Sequence, residues 1–155
     1  MTPIMSFWPS IYDKIKNQIK LIEYRRTFPN DCKYAYMYIT KPVKAIGGIV
    51  YFGKKHDLDD WKKQYSNNTI ISDRINSYIQ SYRYGMEIIG FQKINPITLD
   101  ELRKNVEGFT APQSYLLLEN NKKLSDYVKN NTVKLGSFIE NDLSNIFPEH
   151  ICKRY

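Results

Sequence analysis

The chain has 155 residues, of which 42% are hydrophobic and 25% charged, a composition typical of an ordinary globular protein, and we expect a single domain over 1–155. Lys and Arg number 23 against 16 Asp and Glu, a formal net charge of +7, so the surface should attract phosphates. No apolar run approaches the ~18 residues of a membrane span, and no signal peptide is visible, so the cytoplasm is the expected location.

The first predicted element is a helix. Pro9 is a favoured residue for a first helical turn, and apolar residues recur at a spacing of four from Ile11 to Ile19. This spacing predicts a helix with one apolar face over 9–19.

Four segments predict strands, because they are rich in aromatic and β-branched residues or alternate in polarity. These segments are 21–26, 33–40, 43–53 and 84–94. The pair Gly47–Gly48 predicts a bulge or a sharp bend in the third segment. Pro96 is predicted to end the fourth, because proline cannot donate to a strand ladder.

Further helices are predicted between and after the strands. Asp57 with Asp60 is typical of an N-cap for a helix through Trp61 and Tyr65, and Thr98-x-x-Glu101 forms a capping box for a helix over 99–105. The remaining predicted helices cover 72–82 (opened by Ser72), 121–130 and 136–145. Strands grouped together, with no regular alternation of strand and helix, predict an α+β fold centred on a small, bent, mostly antiparallel sheet or partial barrel.

The spacing of the cysteines and histidines, the softer metal ligands, predicts no metal site, and we expect no cofactor. Cys32 and Cys152 lie far apart and form no ligand spacing with His56 or His150, so we expect two free thiols in a reducing compartment. Both histidines lie in polar segments that we expect to be exposed. No Ser-His-Asp or Cys-His arrangement suggests nucleophilic catalysis.

Four motifs follow one another along the chain. They are Lys20-x-x-Glu23-x-Arg25, YMYITKPVKAIGGIV at 36–50, YGMEIIGFQKINPITLDEL at 84–102, and APQSYLLL at 111–118. In this order they resemble the ASCH domain family, a branch of the PUA-like superfamily, with Gln18 where that family commonly has Gly. The resemblance covers about residues 4–118 and leaves 119–155 as a C-terminal helical extension.

The resemblance implies a PUA-like β-barrel with flanking helices and a cleft beside the first strand. Members of the superfamily bind RNA, nucleotides or modified bases, so the leading hypothesis is an RNA- or modified-nucleotide-binding domain with a regulatory role.

A second hypothesis is a small, metal-independent hydrolase in the same cleft, acting on RNA as a ribonuclease or on a nucleoside as an amidohydrolase. The amidohydrolase members use a Lys and a Thr, and this chain keeps Lys20 but has Glu23 at the Thr position. A third hypothesis is a protein-interaction module of a regulatory complex.

The chemistry of the candidate site depends on three side chains. A Glu23 carboxylate between Lys20 and Arg25 stays ionised and can accept from the amino group of a base, while the cations donate to carbonyl or phosphate oxygens. Lys20 and Glu23 are therefore also the catalytic candidates. We expect Glu23→Ala and Lys20→Ala each to weaken ligand binding by at least roughly tenfold with little change in folding stability, because exposed pairs contribute only ~0–1 kcal/mol. In the alternative interpretation Glu23 and Arg25 form an ordinary surface ion pair of that kind and bind no ligand. The other ligand-binding candidates, each of which could instead be a polar turn residue, are Thr40, Lys44, Gln113, Ser114 and Tyr115.

Overall fold

A seven-stranded sheet forms the centre of the computed structural model, which describes residues 1–155. The strands are β1 (Pro3–Phe7), β2 (Ile22–Arg25), β3 (Tyr34–Ile39), β4 (Ala45–Asp57), β5 (Tyr84–Thr98), β6 (Tyr115–Leu117) and β7 (Ile139–Glu140). Their order is β2-β5-β4-β3-β1-β6, and β7 pairs with β5 outside this row. Only β1 and β3 pair in parallel. The prediction of an α+β fold with a mostly antiparallel sheet is confirmed.

Five α-helices flank the sheet. They are α1 (Pro9–Lys16), α2 (Leu58–Gln64), α3 (Thr69–Tyr78), α4 (Leu99–Asn105) and α5 (Lys122–Asn131), with a short 3₁₀ helix at Leu118–Asn120. Asp57 caps α2, and Thr98 with Glu101 forms the capping box of α4, as predicted. The cap of α3 is Asn68 rather than Ser72, so this helix begins and ends earlier than predicted. None of these helices combines the length and apolar character needed to cross a bilayer.

Two strands were not predicted, and one segment was predicted as a helix but contains a strand. β1 and β6 were not predicted, because runs of five and three residues are too short to show alternation; they pair with each other and complete the sheet. The helix predicted over 136–145 is wrong, since this segment contains β7. Gly136 has a φ of +73°, a left-handed conformation that no α-helix accommodates.

The central strands bend at the paired glycines. Ile46 pairs with Ile97 and Gly48 pairs with Lys93, so β5 carries extra residues opposite Gly47 and forms the predicted bulge. Pro96 lies within this bulge, where no ladder hydrogen bond is required of it. β5 therefore continues to Thr98, and the prediction that Pro96 ends the strand is wrong.

Both cysteines are free and buried, with 7% of Cys32 and 1% of Cys152 exposed. Burial raises the pKa of Cys32 to about 11 and that of Cys152 to about 12. Because the thiolate is the reactive form, we expect both thiols of the native protein to react far more slowly with a disulfide reagent at pH 8 than those of the unfolded chain. A native thiol that reacts as fast as free cysteine would contradict this.

The sheet curls until its two edge strands approach each other. β2 and β6 are the edges of the main row, yet Arg25 of β2 donates from Nη1 to the Ser114 carbonyl at 3.2 Å, next to β6. The same guanidinium donates from Nη2 to the Ser6 carbonyl of β1 at 2.6 Å. The sheet is thus a bent partial barrel whose remaining gap is bridged by one side chain.

Candidate functional site

A cavity of about 540 Å³ opens at the gap between the two sheet edges. Four parts of the chain form most of its wall: the end of β1 with the start of α1, the segment 20–25, the end of α3 with the turn after it, and residues 153–155. Gln113, just before β6, completes the wall. The cavity therefore lies where the incomplete closure of the barrel leaves polar side chains accessible.

The chain reaches this cavity through a turn at Gln18. This residue has a φ of +61°, which ends α1 earlier than the predicted 9–19 and costs a non-glycine residue roughly 1–2 kcal/mol. Gln18 Nε2 donates to the Glu140 carbonyl at 3.1 Å and to Asn141 Oδ1 at 3.2 Å, and these contacts hold the turn. The left-handed conformation gives a physical reason for the Gly that the ASCH pattern commonly has at this position.

A buried charge cluster lies on the cavity side of β2. Glu23 Oε1 is 3.5 Å from Lys20 Nζ, and Glu23 Oε2 accepts from Arg25 Nε at 2.8 Å. Only 6% of Glu23 and 8% of Lys20 are exposed. The interpretation of an exposed ion pair is therefore wrong. Because a buried carboxylate between two cations cannot be removed without leaving them uncompensated, we now expect its removal to lower stability.

Lys20 is the most buried cation of the site. Burial lowers the pKa of its ammonium group, and the nearby Glu23 carboxylate opposes this shift in part. Its Nζ also lies 5.2 Å from the ring centroid of Tyr24 and 5.9 Å from that of Tyr155. An amine with a lowered pKa can exchange a proton nearer neutral pH than an ordinary lysine.

The guanidinium of Arg25 already donates its hydrogen bonds to other groups of the protein. Its Nε donates to Glu23, and its two terminal nitrogens donate to the carbonyls of Ser114 and Ser6. Its guanidinium also lies over the ring of Phe7, 5.0 Å from the centroid. These contacts make Arg25 a positioning residue that holds Glu23 and joins the sheet edges.

The other sequence candidates divide into two groups. Gln113 lines the cavity, and Ser114 lies beside it as an acceptor for Arg25. Tyr115 pairs with Met5 and lines a different cavity, of about 410 Å³. Thr40 and Lys44 lie in the β3–β4 turn outside the wall, where the Thr40 amide donates to the Phe7 carbonyl at 3.0 Å and Lys44 is exposed.

The C-terminal residues supply a part of the wall that the sequence did not predict. Lys153, Arg154 and Tyr155 line the cavity. Three hydrogen bonds hold them there: Lys14 Nζ to the Tyr155 carbonyl at 2.7 Å, Tyr78 Oη to the Lys153 carbonyl at 3.1 Å, and Arg154 Nη2 to Ser77 Oγ at 3.0 Å. The run Lys-Arg-Tyr is basic and aromatic, but only tertiary structure brings it to β2.

Both histidines are partly buried, contrary to the prediction, and neither lines the cavity. His56 Nε2 lies 2.6 Å from Glu87 Oε2, and its ring stacks on Trp61 with centroids 4.7 Å apart. His150 Nδ1 lies 2.7 Å from Tyr155 Oη, and burial lowers its pKa. No group of three or more His, Cys, Asp or Glu side chains is arranged to hold a metal ion.

The charge and shape of the cavity fit an anion with flat rings. Cations predominate over the single carboxylate, Glu23, and four aromatic residues besides Phe7 and Tyr24 contribute to the wall. The cations are Lys20, Arg25, Lys153 and Arg154, and those aromatic residues are Trp8, Tyr78, Tyr82 and Tyr155. Phosphates pair with such cations, and nucleobases stack on such rings.

Comparison with known proteins supports the same family as the four sequence motifs. No family model matches the chain. A protein of Zymomonas mobilis named ASCH domain-containing ribonuclease is 29% identical over 133 residues, which cover 78% of this chain and 88% of that protein. A crystal structure of ASCH from Zymomonas mobilis superposes with a TM-score of 0.64 at 24% identity, covering 87% of this chain and 98% of that one. A structure of a serine-to-alanine variant gives a TM-score of 0.63 at 24% identity, covering 85% and 96% of the two chains.

Proposed function

We propose that this chain, which is similar in sequence to an ASCH domain-containing ribonuclease and in fold to an ASCH structure, binds RNA or a modified nucleotide in the cavity between the two sheet edges. The observation that carries the proposal is a buried carboxylate between two cations, set in a wall that adds two more cations and several aromatic rings. The name of the Zymomonas mobilis relative supports RNA as the ligand. A cytoplasmic location and a regulatory role stay predictions.

The charge cluster has unused hydrogen-bonding capacity. A carboxylate offers about four lone-pair sites, and Glu23 uses its two oxygens on Lys20 and Arg25, so it can still accept from the amino group of a base. Lys20 retains donors for a carbonyl or phosphate oxygen. Arg154 has no carboxylate partner, and its side chain is exposed at the cavity, which suits a phosphate.

We expect a labelled single-stranded RNA octamer to bind with an affinity that falls steeply with salt. Each phosphate contact contributes a slope of about −0.7 in a plot of log affinity against log salt. The double variant Lys153→Ala/Arg154→Ala should therefore reduce the slope by roughly 1.4. Fluorescence anisotropy at a series of salt concentrations measures this.

The matched control is Lys62→Ala/Lys63→Ala, which removes two exposed cations at the end of α2, outside the cavity. This variant should keep the wild-type slope. An affinity that does not respond to salt would argue against RNA, and equal slopes for all three proteins would argue against this cavity.

Cleavage of the bound RNA is the second candidate function, and the lowered pKa of Lys20 is the observation that favours it. A neutral Lys20 amine could take the proton of a ribose 2′-hydroxyl, whose oxygen then bonds to the adjacent phosphorus as the bond from phosphorus to the 5′ oxygen breaks. The 5′ oxygen leaves as a hydroxyl after gaining a proton, and a 2′,3′-cyclic phosphate remains. Mass spectrometry of RNA incubated with the protein distinguishes the two functions: intact RNA indicates a binder, while cyclic phosphate ends that Lys20→Met abolishes indicate a ribonuclease.

The two remaining hypotheses from the sequence have less support. The nucleoside amidohydrolase hypothesis would require Glu23 to replace the Thr of those family members. The protein-interaction hypothesis stays a prediction, since no feature of the cavity favours a protein partner over a nucleotide.

A further inference from the structure

Trp8 is the most exposed large apolar residue of the chain, with 72% of its surface accessible. It occupies the N-cap position of α1, where its side chain makes no capping hydrogen bond. Ser, Thr, Asp and Asn are the residues that stabilise this position. Neither core packing nor helix capping therefore explains a tryptophan here.

The exposed indole of Trp8 lies at the cavity. Three aromatic residues have large exposed fractions: Trp8, Tyr82 at 39% and Phe138 at 46%. Trp8 and Tyr82 both line the cavity, although they come from different elements. A single exposed apolar side chain needs no explanation, but two exposed rings beside a cationic cavity form a surface suited to flat, charged ligands.

The backbone of Trp8 is fixed before any ligand binds. Pro9 restricts the residue before it to an extended conformation, and Trp8 has a φ of −65° and a ψ of 148°. Its carbonyl accepts from the amides of Ile11 and Tyr12 at 3.0 and 2.9 Å. The preceding residue, Phe7, pairs with Ile39 in the sheet. The backbone that carries the indole is thus held rigidly, which lowers the entropy cost of binding.

We propose that Trp8 is a stacking platform for an unpaired nucleobase at the mouth of the cavity, so that the protein takes single-stranded RNA or a free nucleotide and discriminates against a duplex. The inference rests on the proposed function. An indole offers a wide π face to any base, whereas a paired base inside a duplex has both faces covered by its neighbours. The phosphates of the same ligand remain available to the cations of the wall.

Three variants separate stacking from mere apolar contact. Trp8→Ala should weaken the binding of a single-stranded RNA octamer by at least about tenfold, Trp8→Leu by nearly as much, and Trp8→Phe by less. The salt slope should be unchanged in all three, because no phosphate contact is lost. The thermal midpoint should also stay constant, since the side chain is exposed.

Ile70→Ala and Phe138→Ala, which remove exposed apolar side chains outside the cavity wall, are the matched controls and should bind as the wild type does.

Tryptophan fluorescence gives an independent measurement. The other tryptophan, Trp61, is only 3% exposed, so acrylamide should quench mainly Trp8 in the free protein. Adding the octamer should protect this fluorescence, and a blunt duplex of the same length should protect it much less. Tight binding that persists in Trp8→Ala, or equal affinity for duplex and single strand, would overturn this inference and leave the proposed function standing. Absence of binding to any RNA or nucleotide would overturn both.

Discussion

Replacing Glu23 with alanine should lower the free energy of unfolding by roughly 3–5 kcal/mol and weaken RNA binding by at least about tenfold. The carboxylate is buried and lies within 3.5 Å of Lys20 Nζ and 2.8 Å of Arg25 Nε. Its removal leaves two cations in a poorly solvated place without a counter-charge, which is the costly way to break a buried pair. Urea unfolding and anisotropy measured on the same preparation give both quantities.

Two further variants identify the cause of that loss. Adding Lys20→Met to Glu23→Ala should restore part of the stability, because fewer unpaired buried charges remain. Asp126→Ala breaks an exposed pair with Lys122 on α5 and should hardly change either quantity, because exposed pairs contribute little. If Glu23→Ala were as stable as the wild type, the cluster would not be buried in solution.

Replacing Arg25 with lysine should destabilise the protein by about 3 kcal/mol or more, although it conserves the charge. The arginine donates to Glu23, Ser114 and Ser6 at once, and hydrogen bonds that involve a charged group are worth about 1.5–3 kcal/mol each. A lysine ammonium lacks the planar fork that reaches three separate acceptors. The two sheet edges should then separate more easily, and amide hydrogen exchange should increase in β2 and β6.

The neighbouring residue provides a matched control for this substitution. Arg26 is exposed and makes one long contact, from Nη2 to the Gln80 carbonyl at 3.5 Å. Arg26→Lys should therefore leave both the unfolding free energy and the exchange rates unchanged. Equal effects at the two positions would mean that Arg25 does not join the sheet edges.

The local pattern of β2 could be predicted from the sequence, whereas its burial could not. The alternation of apolar and polar residues over 22–25 places Ile22 and Tyr24 on one face of the strand and Glu23 and Arg25 on the other, and the first two do lie in the core. Whether the second face is exposed depends on Ser6, Ser114 and the C-terminal residues, which contact it from distant parts of the chain. No local pattern carries that information.

The same limit explains why some sequence candidates do not lie at the cavity. Thr40, Lys44 and Tyr115 were candidates because polar turns and aromatic loops often bind ligands, but the fold places them away from the cavity wall. Trp8 carried no signal beyond its position before a helix, and its function became a question only when its exposure was known. Pro96 was predicted to end a strand because a bulge at 94–96 depends on the register with the partner strand.

Cross-linking tests the central claim most directly. A uridine-containing single-stranded RNA, irradiated in complex with the protein, forms zero-length cross-links that mass spectrometry locates in the digested chain. We expect cross-links in the segments that form the cavity wall, namely 6–11, 20–25, 78–82 and 153–155, with the Trp8 peptide among them. Cross-links confined to other surfaces, such as α5, would contradict the claim that this cavity binds RNA.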